Sequence, residues 1–133
     1  MSGGSATGWI LTFSCEDRGG IVAAVAGCVA EADGFILDSQ QYADLESGRF
    51  FMRLVFRGPD CREGLSRVAA RFGFDWTLVR VPRLTDGPMG DVDVDTHVSG
   101  RRTTLSRASL ARFIAAAIGD DSFTRTAPFV SDR

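Results

Sequence analysis

"RFFMRLVFR", residues 49 to 57, constrains the fold more than any other stretch of the chain. Strict alternation puts Phe50, Met52, Leu54 and Phe56 on one side and Phe51, Arg53 and Val55 on the other. That is the period of a β-strand with one face in a core. "FILDSQQYAD" (35 to 44) reads as a second strand that turns polar halfway along, and "LESG" supplies a turn ending at Gly48. Together they predict a hairpin. A hairpin alone is not stable in water, so other elements must cover its apolar face.

The flanking sequence supplies that cover. From Gly20 to Ala32 the period changes, and Ile21, Val25, Cys28, Val29 and Ala32 fall on one helix face. Val22 and Ala26 widen the face, leaving apolar surface for a second partner such as another subunit. In "GPDCREGLSRVAARFG" (58 to 73), Asp60 and Glu63 read as a capping box and Gly73 as a stop. Cys61, Leu65, Val68, Ala69 and Phe72 form the buried stripe, with Arg62, Arg67 and Arg71 toward water. "GWILTFS" (8 to 14) reads as a first strand and "DWTLVRV" (75 to 81) as the last before Pro82. The order β-α-β-β-α-β over residues 8–82 predicts an α+β, ferredoxin-like unit: a four-stranded antiparallel sheet with two helices on one face. The other face, or an edge, stays open for pairing.

Outside that unit the signals are weaker. Residues 1–7 carry no positive region and no apolar core, which excludes a secretory signal and predicts a disordered N-terminus. Residues 83–133 read as an irregular C-terminal tail with one short helix at 106–118, its apolar side made of Ala108, Ala111, Ile114, Ala115 and Ile118. Asp91, Asp93 and Asp95 of "DVDVD" line one side of an extended segment, where they repel. The segment lacks the glycine and distal glutamate of an EF-hand loop, so no metal is expected. The sole histidine, His97, reads as a solvated loop residue. The tail also has the composition of GC-rich DNA translated out of frame, and the sequence leaves both readings of it open.

Composition narrows the function. The net charge of −2 gives no basic footprint for nucleic acid and no polybasic anchor for a membrane. The longest apolar run, Ile21 to Ala30, is too short to span a bilayer. Cys15, Cys28 and Cys61 are odd in number with no C-x-x-C spacing, which argues against a disulfide framework or zinc site and for a reducing, cytoplasmic setting. No cofactor is expected.

"SCEDRGGIV" (14 to 22) is the candidate site. A helix beginning near Gly19 or Gly20 leaves the amides of Gly19, Gly20 and Ile21 without intrahelical acceptors. Their positive end suits a small anion, and two residues without Cβ atoms let a carboxylate approach. Asp17 can cap the helix or receive a ligand's ammonium group. The same residues also read as an ordinary strand–helix junction, and spacing alone does not choose.

"ILTFSCEDRGGIVAAVAG", "ILDSQQYADLESGRFFMRLVF" and "RFGFDW" together closely resemble the N-terminal ACT domain of formyltetrahydrofolate deformylases, which hydrolyse formyltetrahydrofolate to formate and tetrahydrofolate in one-carbon metabolism and purine biosynthesis. The resemblance runs from about Trp9 to Trp76. It implies a paired domain, hence a homodimer, with a small amino acid effector, glycine or methionine, held by Asp17, Arg18, Gly19, Gly20 and Ile21 and by Asp38 and Gln40 on the adjoining strand. Two departures stand out: Glu16 and Gly19 replace the family's prolines, and Phe35 replaces its usual asparagine. The family's catalytic Asn, His and Asp motifs are absent, since the chain has no Asn and His97 matches none of them. The resemblance therefore implies a regulatory module without the catalytic domain, inactive alone. The alternatives are a chain that works with a catalytic part elsewhere, and a dimerisation module whose effector site has decayed.

Overall fold

The computed structural model describes residues 8–95, 104–118 and 121–133, and it divides between Trp76 and Thr77 into two compact units. His97 and residues 1–7 lie outside the described residues, as do the readings made of them. No helix among the described residues is long and apolar enough to cross a membrane.

The first unit contains β1 (Gly8–Glu16), α1 (Ile21–Glu31), β2 (Phe35–Asp44), β3 (Arg49–Arg57) and α2 (Arg62–Phe72); β4 (Asp75–Val81) starts in it and runs into the second. β3 pairs antiparallel with β1 on one side and with β2 on the other. The expected alternation holds, because Phe50, Met52, Leu54 and Phe56 are all buried. In register with them on β1 stand Cys15, Phe13, Leu11 and Trp9, also buried. Trp9 stacks on Phe56 at 6.3 Å and Phe13 on Phe74 at 3.9 Å, so aromatic rings fill both ends of this core. Ile21, Val25, Cys28 and Val29 of α1 and Leu65, Ala69 and Phe72 of α2 supply the rest. Gly73 ends α2 in the left-handed conformation, φ 73°, with its N–H on the Ala69 carbonyl at 2.8 Å.

All three thiols are free and buried. Burial pushes each thiol up, Cys61 to about 12, so none is poised to react as a thiolate.

The capping box at α2 is not made. Cys61 occupies the cap position with no side-chain bond, and Asp60 stands one residue earlier. Its carboxylate accepts the Arg62 backbone N–H at 2.9 Å and the Arg62 Nε at 2.8 Å, while Glu63 pairs with Arg67 at 3.3 Å. Charge-assisted bonds to arginine compete for the two carboxylates that the motif needs free.

The second unit corrects the expectation of an irregular tail. It contains the rest of β4, then β5 (Arg83–Thr85), β6 (Val92–Asp95), β7 (Thr104–Ser106), α3 (Arg107–Ile118) and β8 (Phe129–Asp132). β8 lies between β4, which it meets in parallel, and β6, which it meets antiparallel; β5 pairs with β7 in parallel. Leu105, Phe129 and Val130 are buried, and Asp132 accepts bonds from the Thr104 hydroxyl and the Ser106 N–H. Two of the aspartates expected to repel are answered by arginines: Asp93 of β6 meets Arg133 at 3.0 Å and Asp91, just before the strand, meets Arg112 at 3.8 Å.

α3 is rotated from its expected phase. Ser109, Leu110 and Ala117 are buried, whereas Ala108, Ala111 and Ala115 are exposed. Alanines define a face weakly; the larger Leu110 and Phe113 decide it, with Phe113 meeting Phe123 edge-on at 5.2 Å.

Candidate functional site

β1 ends at Glu16, and Asp17 to Gly20 carry the chain to α1, all of them exposed. The loop is anchored by the Asp17 N–H, which donates to the Gly48 carbonyl in the β2–β3 turn at 2.9 Å. Gly20 is the cap residue of α1 at φ 89°, a conformation that a residue with a Cβ rarely adopts. Asp17 does not cap the helix: no side-chain bond is made at this N-terminus, and no acidic residue stands in the first turn. The intrahelical ladder begins with Ala24, whose N–H meets the Gly20 carbonyl at 3.0 Å. The amides ahead of it therefore belong to Ile21, Val22 and Ala23, two residues further on than the sequence places them.

Space around the loop is open. A Cβ at Gly19 would meet nothing within 4 Å, and one at Gly20 would meet only the tip of the Phe72 ring at 4.0 Å. Arg71 stands over the same ring, its guanidinium carbon 5.0 Å from the centroid. Phe72 is an addition to the expected set. The sequence marks Phe72 as core, and only tertiary packing brings its ring beside Gly20.

Asp38 and Gln40 are not brought to it. Glu16 at the end of β1 stands opposite Arg49, which stands opposite Asp44 of β2. Asp38 lies six residues up β2 from Asp44, and Gln40 four, or about 20 Å and 13 Å along a strand. They sit instead in the rows of Ile10 and Thr12. There Gln40 donates to Asp38 at 3.4 Å and Arg53 pairs with Asp38 at 3.5 Å. The expected meeting of Asp17 and Asp38 is thereby corrected: the loop residues lie at one end of the strands and the β2 residues elsewhere on the sheet. Among the described residues no group of three or more His, Cys, Asp or Glu side chains could hold a metal ion.

What the loop offers is a set of backbone donors at a helix start, with Asp17 and Arg18 close by in the chain. That combination can hold the carboxylate and the ammonium of a small zwitterion.

A family model described as NAD(P)H-binding matches residues 46–121. Among curated proteins, the formyltetrahydrofolate deformylase of Corynebacterium sp. (strain P-1) is 40% identical over 76 residues, 52% of this chain and 27% of the relative. That of Bacillus subtilis (strain 168) is 37% identical over 82 residues, 56% of this chain and 27% of the relative. The crystal structure of a formyltetrahydrofolate deformylase from Pseudomonas syringae pv. tomato str. DC3000 aligns with a TM-score of 0.53 at 29% identity, covering 61% of this chain and 32% of that one. The chain thus spans about a quarter of the curated relatives' length. Relatives of this name cover about half of the chain, and the likeness is consistent with an N-terminal ACT-like domain.

Proposed function

The chain belongs, over residues 46–121, to the family described as NAD(P)H-binding; starting from that membership, and from the likeness of its N-terminal part to formyltetrahydrofolate deformylases, we propose that its function is regulatory, as an ACT-type module that binds a small amino acid at the β1–α1 loop. In this reading residues 8–82 carry the ferredoxin-like β-α-β-β-α-β order of a regulatory domain, cytoplasmic and homodimeric, whose sheet does not stop at four strands because β8 pairs with β4, and residues 83–133 do no deformylase chemistry. The observation that carries it is the start of α1, where Gly20 caps without a side-chain bond and the first amides face an open loop. A ligand carboxylate takes those amides, and Asp17 or Arg18 selects the zwitterion. Asp38 and Gln40 take no part in this site within one chain.

A dinucleotide reading is favoured by the family description alone. A Rossmann-type site puts a Gly-x-Gly-x-x-Gly turn between a strand and a helix, with the pyrophosphate at the helix start. In the matched stretch Gly58 stands in the β3–α2 turn and Gly64, six residues on, already lies in α2, and the Asp60 carboxylate accepts the Arg62 N–H between them at 2.9 Å. A negative group in that position repels a phosphate.

Calorimetry on the purified chain with glycine, methionine and NADPH separates the readings. Saturable binding of one amino acid on the order of millimolar, about 4 kcal/mol, with no heat from NADPH, is the expected result. Binding of NADPH alone would favour the dinucleotide reading, and silence from all three the decayed effector site.

A further inference from the structure

The sheet face away from the buried aromatics carries an ordered pattern of its own. On β3 it consists of Arg49, Phe51, Arg53, Val55 and Arg57, and on β2 of Asp44, Tyr42, Gln40, Asp38 and Phe35, in that register. Phe35, Tyr42 and Phe51 are 69%, 65% and 44% exposed, which is far more aromatic surface than an ordinary solvated face presents. Tyr42 and Phe51 already lean together, their rings 6.4 Å apart. β3 thus sets Arg49 and Arg53 on either side of Phe51, and β2 sets Asp44 and Asp38 on either side of Tyr42 and Gln40.

We infer that this face is where a second copy of the chain docks, its β2 lying over this copy's β3. The inference rests on the homodimer reading above and places its interface. Two sheets packed face to face, about 10 Å apart, and related by a two-fold axis along the strands keep their rows in step. Arg49 then faces the second copy's Asp44, Phe51 faces its Tyr42, and Arg53 lies between its Gln40 and Asp38. The surface is complementary to itself, as a two-fold interface requires. The apolar centre sits inside a charged rim, the arrangement in which aromatic anchors dominate binding. The exposed side of α1, with Val22, Ala23 and Ala30, has apolar atoms but no such pairing of charge.

Sedimentation equilibrium of the full chain at micromolar concentration tests this, with circular dichroism to check folding. The unaltered chain is expected at twice its 14.3 kDa mass. Phe51→Arg and Tyr42→Arg each raise the dissociation constant about a hundredfold, as loss of an interface anchor does, while Val22→Arg leaves it unchanged. Asp44→Arg weakens the dimer and Arg49→Asp in the same chain restores it. If Phe51→Arg misfolds, Tyr42→Arg on the exposed strand decides alone. A dimer that survives both face variants and dissociates with Val22→Arg overturns the assignment and leaves the homodimer reading standing. A monomer from the unaltered chain overturns both.

Discussion

Replacing Phe56 with alanine is expected to lower the unfolding free energy by about 3–5 kcal/mol. Phe56 is 1% exposed and stacks on Trp9 at an interplanar angle of 12°, with Ile36 as its register partner on the opposite strand. Removing the ring leaves a cavity that two paired strands cannot close, since their ladders fix the backbone on both sides. A loss of that size is a large share of the stability of a chain this long. Urea unfolding followed by tryptophan fluorescence measures it, because Trp9 reports on the same contact. A loss below about 1.5 kcal/mol would show that the site collapses and that the two-strand core is not the main support.

The second large effect is expected at Gly58. Its φ of 137° lies where a side chain is strained, and a Cβ built on it would stand 2.8 Å from the Cα of Gly34 and 3.4 Å from the Asp33 carbonyl. The neighbour is backbone, so it cannot swing aside as a flexible side chain would. Trp9 adds a further tie, donating its indole N–H to the Gly58 carbonyl at 2.8 Å. Gly58→Ala is expected to cost about 3 kcal/mol, conformational strain and overpacking together. The same denaturation assay reads it. A cost under about 1 kcal/mol would mean that the chain entering β2 moves freely at Gly34.

Those two positions mark what the sequence made legible. Phe56 was readable because its burial follows from a local alternation, repeated at Phe50, Met52 and Leu54 with charge between. The helix face Ile21, Val25, Cys28 and Val29 was readable for the same reason. Gly58 could be read as a turn residue, but the close approach of Gly34 is a tertiary contact across 24 residues, and no window on the sequence contains it. The β5 to β8 strands run to only 3 or 4 residues each, too short for a period to declare itself. In α3 the alanines suggested a face that Leu110 and Phe113 overrode.

The candidate site divided along the same line. The loop from Asp17 to Ile21 was visible from its glycines and its place between a strand and a helix. Asp38 and Gln40 were joined to it by resemblance, and strand register decides against them: β1 and β2 each run antiparallel to β3, so the residues level with the loop are Arg49 and Asp44. A bulge between Ile36 and Asp38 also shifts that register, which alternation alone does not reveal. Phe72 beside Gly20 was invisible because that contact comes from where α2 ends in space.

The central claim is that a small amino acid binds at the start of α1. Amide chemical shifts of the nitrogen-15 labelled chain, followed while glycine and then methionine are added to millimolar concentration, test it residue by residue. The expected result is saturable shifts for one of the two ligands, largest at Gly19 to Ala23, with Asp17 and Arg18 following and Asp38 and Gln40 still. Shifts centred on Asp38 and Gln40, or none at all with either ligand, would contradict it.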